Sequence, residues 1–477
     1  MEALLKYQKW SWLLLLIPIY VFIFLKLDSF HVLLWDESYF AVHATEMFLN
    51  DSWFLPYYNG EPINGGTKPP VQYLFQILFI QLLGINELAL RLPSAIAAAI
   101  SVLVVFHYAR SRFGDLAAWV SSFVLLTSAA FIHFHTGRGM EADAMLALVM
   151  LLQVVVFSQF VKSNSNKSLF LLALMIAMGF LVKSIAGFMF VPGFVIYLII
   201  YERDRIKPLF KIPSFYLAVT ITIGLPLAYV AYRESALPGF IDFIMERHVG
   251  RFSNELGYYQ SAHYYIKLFT TPRFLIWTAP ALASLYYAFV SKDKLSQEAR
   301  LITVIALSYF VLINIANTKY EHYVNPLHPL FALTIGFMGY SIFKQLSLKN
   351  TTVLLTIIFS IPCYMMFIKS QSNYIEPAGD HDDNSTRYLY AISKSEKNVD
   401  GLKVLDNGFE AALIFYKHKL AAQGQTITIN NKDIKAGDRV LTANHDLHEW
   451  VNNNFYSEKI DQLNSAIVYQ INAPRNE

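Results

Sequence analysis

The chain has 477 residues, of which 55% are hydrophobic, 15% aromatic and only 15% charged, with a formal net charge of +3. This balance, with a mean hydropathy of +0.38, excludes a water-soluble globular fold and points to a polytopic membrane protein. The small positive excess is spread over short loops between apolar runs and does not indicate nucleic acid as a partner.

The first apolar run, Trp10–Leu27, follows Lys6 and Lys9 and has no small-residue cleavage site behind it, so it is read as an uncleaved first helix. After it comes Trp35-Asp36-Glu37-Ser38-Tyr39, opening a polar segment that runs to Gly65-Gly66-Thr67-Lys68-Pro69-Pro70. Two adjacent carboxylates at the mouth of a span are costly unless they are solvated, paired or used. Runs long enough for a hydrocarbon core of roughly 30 Å occur at about 10–27, 93–113, 115–135, 142–161, 168–183, 186–201, 213–233, 273–290, 299–316, 325–343 and 351–369, which predicts eleven spans. Residues 71–84 form a shorter apolar piece. Leaving it out of the count puts nearly every Lys/Arg cluster between spans on the side of the N-terminus, as the positive-inside rule requires, so it is read as an interfacial helix.

This topology keeps the N-terminus cytoplasmic and places 28–92, 136–141, 234–272, 317–324 and the tail after 370 on the outer face of a bacterial inner membrane. The aromatic-rich segment from Pro238 to Thr271 is too long for a turn and is expected to form short helices. Beyond 370 the composition becomes soluble, with short β-branched runs at Leu402–Leu405, Thr426–Ile429, Val440–Thr442 and Ala466–Ile471. The expected organisation is an all-α polytopic membrane domain, 1–370, followed by a small α/β domain, 371–477. The tail has no phosphate-binding glycine pattern, so no nucleotide is assigned to it. The lone Cys363 allows neither an intramolecular disulfide nor a zinc-cysteine site.

The chemistry-bearing residues gather in the outer segments. Asp36 and Glu37 are either a solvated helix cap or working carboxylates, and the same choice applies to Glu141 and Asp143 in His135-Thr136-Gly137-Arg138-Gly139-Met140-Glu141-Ala142-Asp143. Lys68, held extended by two prolines, is either a lipid anchor or a grip on a lipid phosphate. Lys68, Arg138, Lys183 and Lys319 run against the usual inside bias for basic residues and together suggest a site for an anionic headgroup. His248 and Arg251 either line that site or contact lipid headgroups. No cofactor is assigned. A divalent metal is conceivable from His248 with nearby carboxylates, although there is no HExxH or paired-histidine spacing.

The order Asp36-Glu37, Thr67-Lys68-Pro69-Pro70, Leu90-Arg91-Leu92-Pro93-Ser94, Arg138 to Asp143, Leu181-Val182-Lys183, His248-Val249-Gly250-Arg251-Phe252 and Lys319 to Tyr323 resembles the membrane glycosyltransferases of GT-C fold, over roughly residues 30–340. The bacterial lipid A aminoarabinose transferases and the dolichyl-phosphate-mannose protein mannosyltransferases are the nearer types. The resemblance implies a sugar donor on a polyprenyl phosphate, a lipid, glycan or protein acceptor, and transfer at the outer face. It makes Asp36 the principal catalytic carboxylate, Asp143 the second one, Lys68 the donor-phosphate ligand, and Lys319 and Tyr323 the lining of the phosphate end. Arg138 and Glu141 are weaker neighbours. The aminoarabinose transferases typically carry Arg and Glu where this chain has Tyr39 and Thr67, which leaves sugar and acceptor open. The rival class is a transporter or flippase of lipid-linked sugars, for which charges near mid-membrane on broken helices are expected.

Overall fold

The computed structural model describes residues 10–475 apart from 67, 134, 250–259, 262, 345, 347 and 372–382. In chain order the main helices are α1 (Ser11–Phe24), α2 (Asp36–Leu49), α3 (Val71–Leu83), α4 (Glu87–Phe113), α5 (Asp115–Leu126), α6 (Asp143–Ser163), α7 (Asn166–Lys183), α8 (Val191–Tyr201), α9 (Pro213–Ala236), α10 (Pro272–Val290), α11 (Ser296–Ile315), α12 (Leu327–Phe343) and α13 (Leu348–Gln371). Each of the eleven expected spans overlaps one of these helices, although α5 ends at Leu126 and α8 begins only at Val191. Among the described residues, six helices are long and apolar enough to cross a membrane. α3 has only 13 residues, about 20 Å at the helical rise. It stops at Gly84, whose φ of +79° only glycine adopts without cost. Proline opens α9 and α10, where its missing N–H is not needed.

The expected short helices between α9 and α10 are Phe240–Ile244, Met245–Val249 and Tyr264–Phe269. In the tail, α14 (Asn384–Ser393) is capped by Asp383, which accepts from the backbone N–H of Ser385 and Thr386. It is followed by α15 (Ala411–Ala422) and α16 (His445–Asn454). Two residues of antiparallel pairing, β1 (Tyr57–Tyr58) with β2 (Glu61–Pro62), form a hairpin between α2 and α3. Its Asn59-Gly60 turn takes positive φ at both positions. The tail sheet runs β4-β3-β5-β7-β6, where β3 is Leu402–Val404, β4 Ile427–Ile429, β5 Arg439–Thr442, β6 Phe455–Leu463 and β7 Ala466–Pro474. β3 is parallel to β4 and β5, and β7 pairs antiparallel with β5 and β6.

The chain folds into two compact units, Met1–Lys26 with Lys68–Gln72 and Pro93–Ser372, and Leu27–Thr67 with Tyr73–Leu92 and Asn373–Glu477. Where the composition suggests a boundary at 370, the second unit thus takes in residues 27–67 and 73–92 as well as the tail.

In the first unit α6 and α9 pack on α7, α12 on α5 and α10, and α8 on α11. Buried Glu298 of α11 ties three helices together by accepting from Tyr108, Ser158 and Lys162. α7 reverses into the Ser184–Phe188 turn because Gly179 and Gly187 touch backbone to backbone, and a Cβ on Gly187 would overlap Gly179.

In the second unit α15 packs along α2. Lys419 Nζ sits 2.7 and 2.8 Å from the two oxygens of Glu87, and both side chains are buried. Tyr416 donates to Glu87 at 2.9 Å and accepts from the Val32 N–H at 3.1 Å. His418 Nε2 lies 2.8 Å from Glu46 Oε1. These polar pairs tie the tail to residues 27–67 and 73–92.

Candidate active site

In the second unit the site begins at Trp35. Its φ of +68° and ψ of −125° are strained for a residue with a side chain. The carbonyl of Trp35 accepts from Tyr39 N at 3.1 Å and from Ser38 Oγ at 2.8 Å, so α2 starts sharply at Asp36. Asp36 is half-buried. It lies in the first turn, where the helix dipole favours a negative charge.

Its neighbour Glu37 turns inward and is 2% exposed. Glu37 Oε1 accepts from Arg91 Nε at 2.9 Å, and Oε2 accepts from Arg91 Nη2 at 3.1 Å and from Leu33 N at 2.7 Å. The remaining N–H groups of Arg91 donate to the carbonyls of Leu27, Phe30 and His31 at 3.2, 2.9 and 2.8 Å, and the guanidinium stacks 3.4 Å from the Phe30 ring centroid. All five guanidinium donors are thereby used. Glu37, one of the carboxylates expected to work in catalysis, is thus the enclosed counter-ion of Arg91. Arg91, present in the Leu-Arg-Leu-Pro-Ser motif, received no role from sequence.

In the first unit Asp143 and Lys183, from α6 and the end of α7, meet as an ion pair with Nζ 2.7 and 2.6 Å from the two oxygens. Tyr309 donates to the Tyr323 carbonyl at 2.7 Å. Glu141 is buried 3.3 Å from His135 Nδ1. The His135 ring lies 4.8 Å from that of His322, which stacks on Tyr320 at 5.5 Å. His135 and His322 are additions to the residues expected from sequence.

Gln72, four residues after Lys68, donates to Ser94 Oγ at 3.0 Å and to the Met140 carbonyl at 2.9 Å, while Ser94 donates to the Glu141 carbonyl at 2.8 Å. Three separate motifs are knitted together in this way. Lys68 is half-buried ahead of buried Pro69 and Pro70.

Arg138 is turned the other way. Its guanidinium donates to the carbonyls of Ile23, Leu25 and Lys26 at 3.0, 2.9 and 3.2 Å, fastening the end of the first helical stretch. Lys319 donates to the Ala316 carbonyl at 2.6 Å and to that of Gln260 at 3.2 Å, and burial lowers its pKa below that of an ordinary lysine. The side chain of His248 and the whole of Arg251 lie outside the described residues. Among the described residues, no three His, Cys, Asp or Glu side chains are grouped to hold a metal ion.

A family model described as dolichyl-phosphate-mannose-protein mannosyltransferase matches residues 67–231. The crystal structure of ArnT from Cupriavidus metallidurans bound to undecaprenyl phosphate superposes with a TM-score of 0.72 at 16% identity, covering 97% of this chain and 98% of that one. The fold is that of the GT-C glycosyltransferases. Among curated relatives, the undecaprenyl phosphate-alpha-4-amino-4-deoxy-L-arabinose arabinosyl transferase of Pseudomonas aeruginosa is 24% identical over 358 residues, 73% of this chain and 62% of that protein. A putative mannosyltransferase of Bacillus subtilis is 28% identical over 169 residues, 35% of this chain and 24% of that protein. The chain thus spans less than two thirds of the length of these relatives. Within this GT-C fold the partition of the acidic pair is testable on stability alone. Arg91→Met leaves Glu37 buried without its partner and is expected to cost about 3–5 kcal/mol, read as a large drop in the thermal midpoint of the detergent-solubilised protein. An unchanged midpoint contradicts the structural role.

Proposed function

We propose that this chain is an integral inner-membrane glycosyltransferase that moves a sugar from a polyprenyl-phosphate donor to an acceptor at the outer face. Its N-terminus is cytoplasmic and its tail periplasmic. The observation that carries the reading is the difference in exposure within the acidic pair: Glu37 is enclosed against Arg91, while Asp36 is only half-buried at the first turn of α2. The GT-C fold and the glycosyltransferase names of the relatives support it.

In the reaction, an acceptor hydroxyl oxygen attacks the anomeric carbon and the bond from that carbon to the phosphate oxygen breaks. The bonding pair leaves with the lipid phosphate, and configuration inverts. Asp36 takes the acceptor's proton as general base. Lys68 and Lys319 offset the charge that develops on the departing phosphate, with Tyr323 beside Lys319 in the chain. Asp143 and Lys183 act as a pair: the carboxylate holds the ammonium in place at 2.6–2.7 Å. Arg138 serves by fastening carbonyls rather than by binding phosphate.

Asp36→Asn is expected to lower transfer from a radiolabelled polyprenyl-phosphate sugar in proteoliposomes by about 10²–10⁴-fold, and full transfer by that variant contradicts the assignment. Lys319 supplies a pH test. A lysine carries its charge below its pKa and loses it as pH rises through that value. With its pKa lowered by burial, Lys319 is discharged at a lower pH than an ordinary lysine. Donor KM is therefore expected to rise on the alkaline side in wild type. Lys319→Arg, whose charge persists, flattens that limb, whereas superimposable profiles count against a phosphate role.

A further inference from the structure

A group of aromatic rings surrounds the start of α2 in the second unit. The Phe409 ring, just before α15, lies 4.9 Å from those of both Trp35 and Tyr39. Tyr39 lies 5.8 Å from Tyr58 of the hairpin and 5.6 Å from His43. Trp35 is 48% exposed, and Tyr39, Tyr58 and Phe409 are half-buried. Gly66, at a φ of +69°, brings the backbone ahead of Lys68 against Tyr39, where even a Cβ would lie 3.9 Å from the ring.

We propose that Trp35, Tyr39, Tyr58 and Phe409 form the acceptor subsite and that it receives an uncharged saccharide ring. The inference rests on the glycosyltransferase reading above and deepens it by naming the acceptor class. Three observations lead there. Asp36 and Tyr39 lie i and i+3 on one face of α2 and keep partial exposure, whereas Glu37 and His43 are buried. A ring stacked on Trp35 and Tyr39 thus has a hydroxyl next to the base that must take its proton. Second, the exposed indole is held at a strained backbone position, which the fold maintains at a cost. Aromatic faces flanked by a few polar acceptors are what a sugar ring needs: the rings take its apolar C–H face, and carboxylates take its hydroxyls.

Third, carboxylates stand close to the rings. Burial above all, and then the neighbouring Tyr39, Glu410 and Glu46, push the Tyr58 hydroxyl up to about 12. Burial and Asp383 likewise raise Asp406, three residues before Phe409. With Asp36 added, a phosphate- or carboxylate-bearing acceptor is repelled here, and like charges select against it.

The test is saturation-transfer NMR on the full chain in lipid nanodiscs, with the methyl glycosides of glucose, mannose, galactose and N-acetylglucosamine and, for contrast, glucose 6-phosphate. At least one neutral glycoside is expected to receive saturation and glucose 6-phosphate to receive less. Phe409→Ala is expected to weaken that binding up to about tenfold, the scale of an aromatic contact, and Phe409→Tyr to restore it. Absence of signal from every neutral glycoside, stronger signal from the phosphate, binding of a Ser/Thr peptide in their place, or indifference to Phe409→Ala each overturns the subsite. Loss of sugar binding with donor turnover intact counts against the subsite alone. Sugar binding without any transfer counts against the enzymatic reading alone.

Discussion

The constraint on which the second unit depends is the buried contact between Glu37 and Arg91. A buried ion pair repays its desolvation only when its remaining hydrogen-bonding capacity is met, and here it is met in full. Arg91 places two N–H groups on the carboxylate and three on the carbonyls of Leu27, Phe30 and His31. The same bonds fix the chain between the first helical stretch and α2. One helical turn earlier, Glu87 holds Lys419 and Tyr416 of α15. The first turns of α4 therefore grip both the segment that presents Asp36 and the tail that packs along it. Trp35 takes its strained conformation within this frame, and Asp36 is left at the helix start as the carboxylate of the pair that retains exposure.

The first unit solves a related problem differently. Its polar turns sit at the ends of apolar helices, where an unpaired charge is expensive. Asp143 is paired with Lys183, Glu141 with His135, and Arg138 with three carbonyls. Gln72 and Ser94 then bind the Lys68 segment to the turn that carries Glu141. The result is a set of charged groups held by neighbours rather than by water, a condition for an electrostatic site that does not reorganise during reaction.

Hydropathy made the spans legible, since each long apolar run must be a helix in lipid. The short strands β3, β4, β5 and β7 were legible for their β-branched, turn-bounded pattern. β6 was not, because Phe455–Leu463 includes Glu458, Lys459 and Asp461. It is the edge strand, where charge guards against unwanted pairing. The Asn59-Gly60 hairpin signal was present in the sequence and went unused. Sequence order singled out Asp36, Lys68, Asp143 and Lys183 as candidates but did not separate Asp36 from Glu37, because adjacent helix residues look alike until the partner of one is known. Arg91 was that partner, 54 residues away. Arg138 shows the converse limit: counting basic residues on one face does not reveal that its guanidinium fastens the carbonyls of Ile23, Leu25 and Lys26. Tyr39, where the resemblance leads one to expect arginine, proves to be part of an aromatic group with His43, Tyr58 and Phe409.

The central claim is that two neighbouring carboxylates divide structure and chemistry between them. Its most direct test is to measure thermal midpoint and transfer rate together for Glu37→Gln and Asp36→Asn in the same lipid preparation. A crossed pattern is predicted, with Glu37→Gln lowering the midpoint and Asp36→Asn leaving it at the wild-type value while transfer is lost. A Glu37→Gln protein that melts like wild type, or an Asp36→Asn protein whose lost transfer is matched by a lowered midpoint, contradicts it.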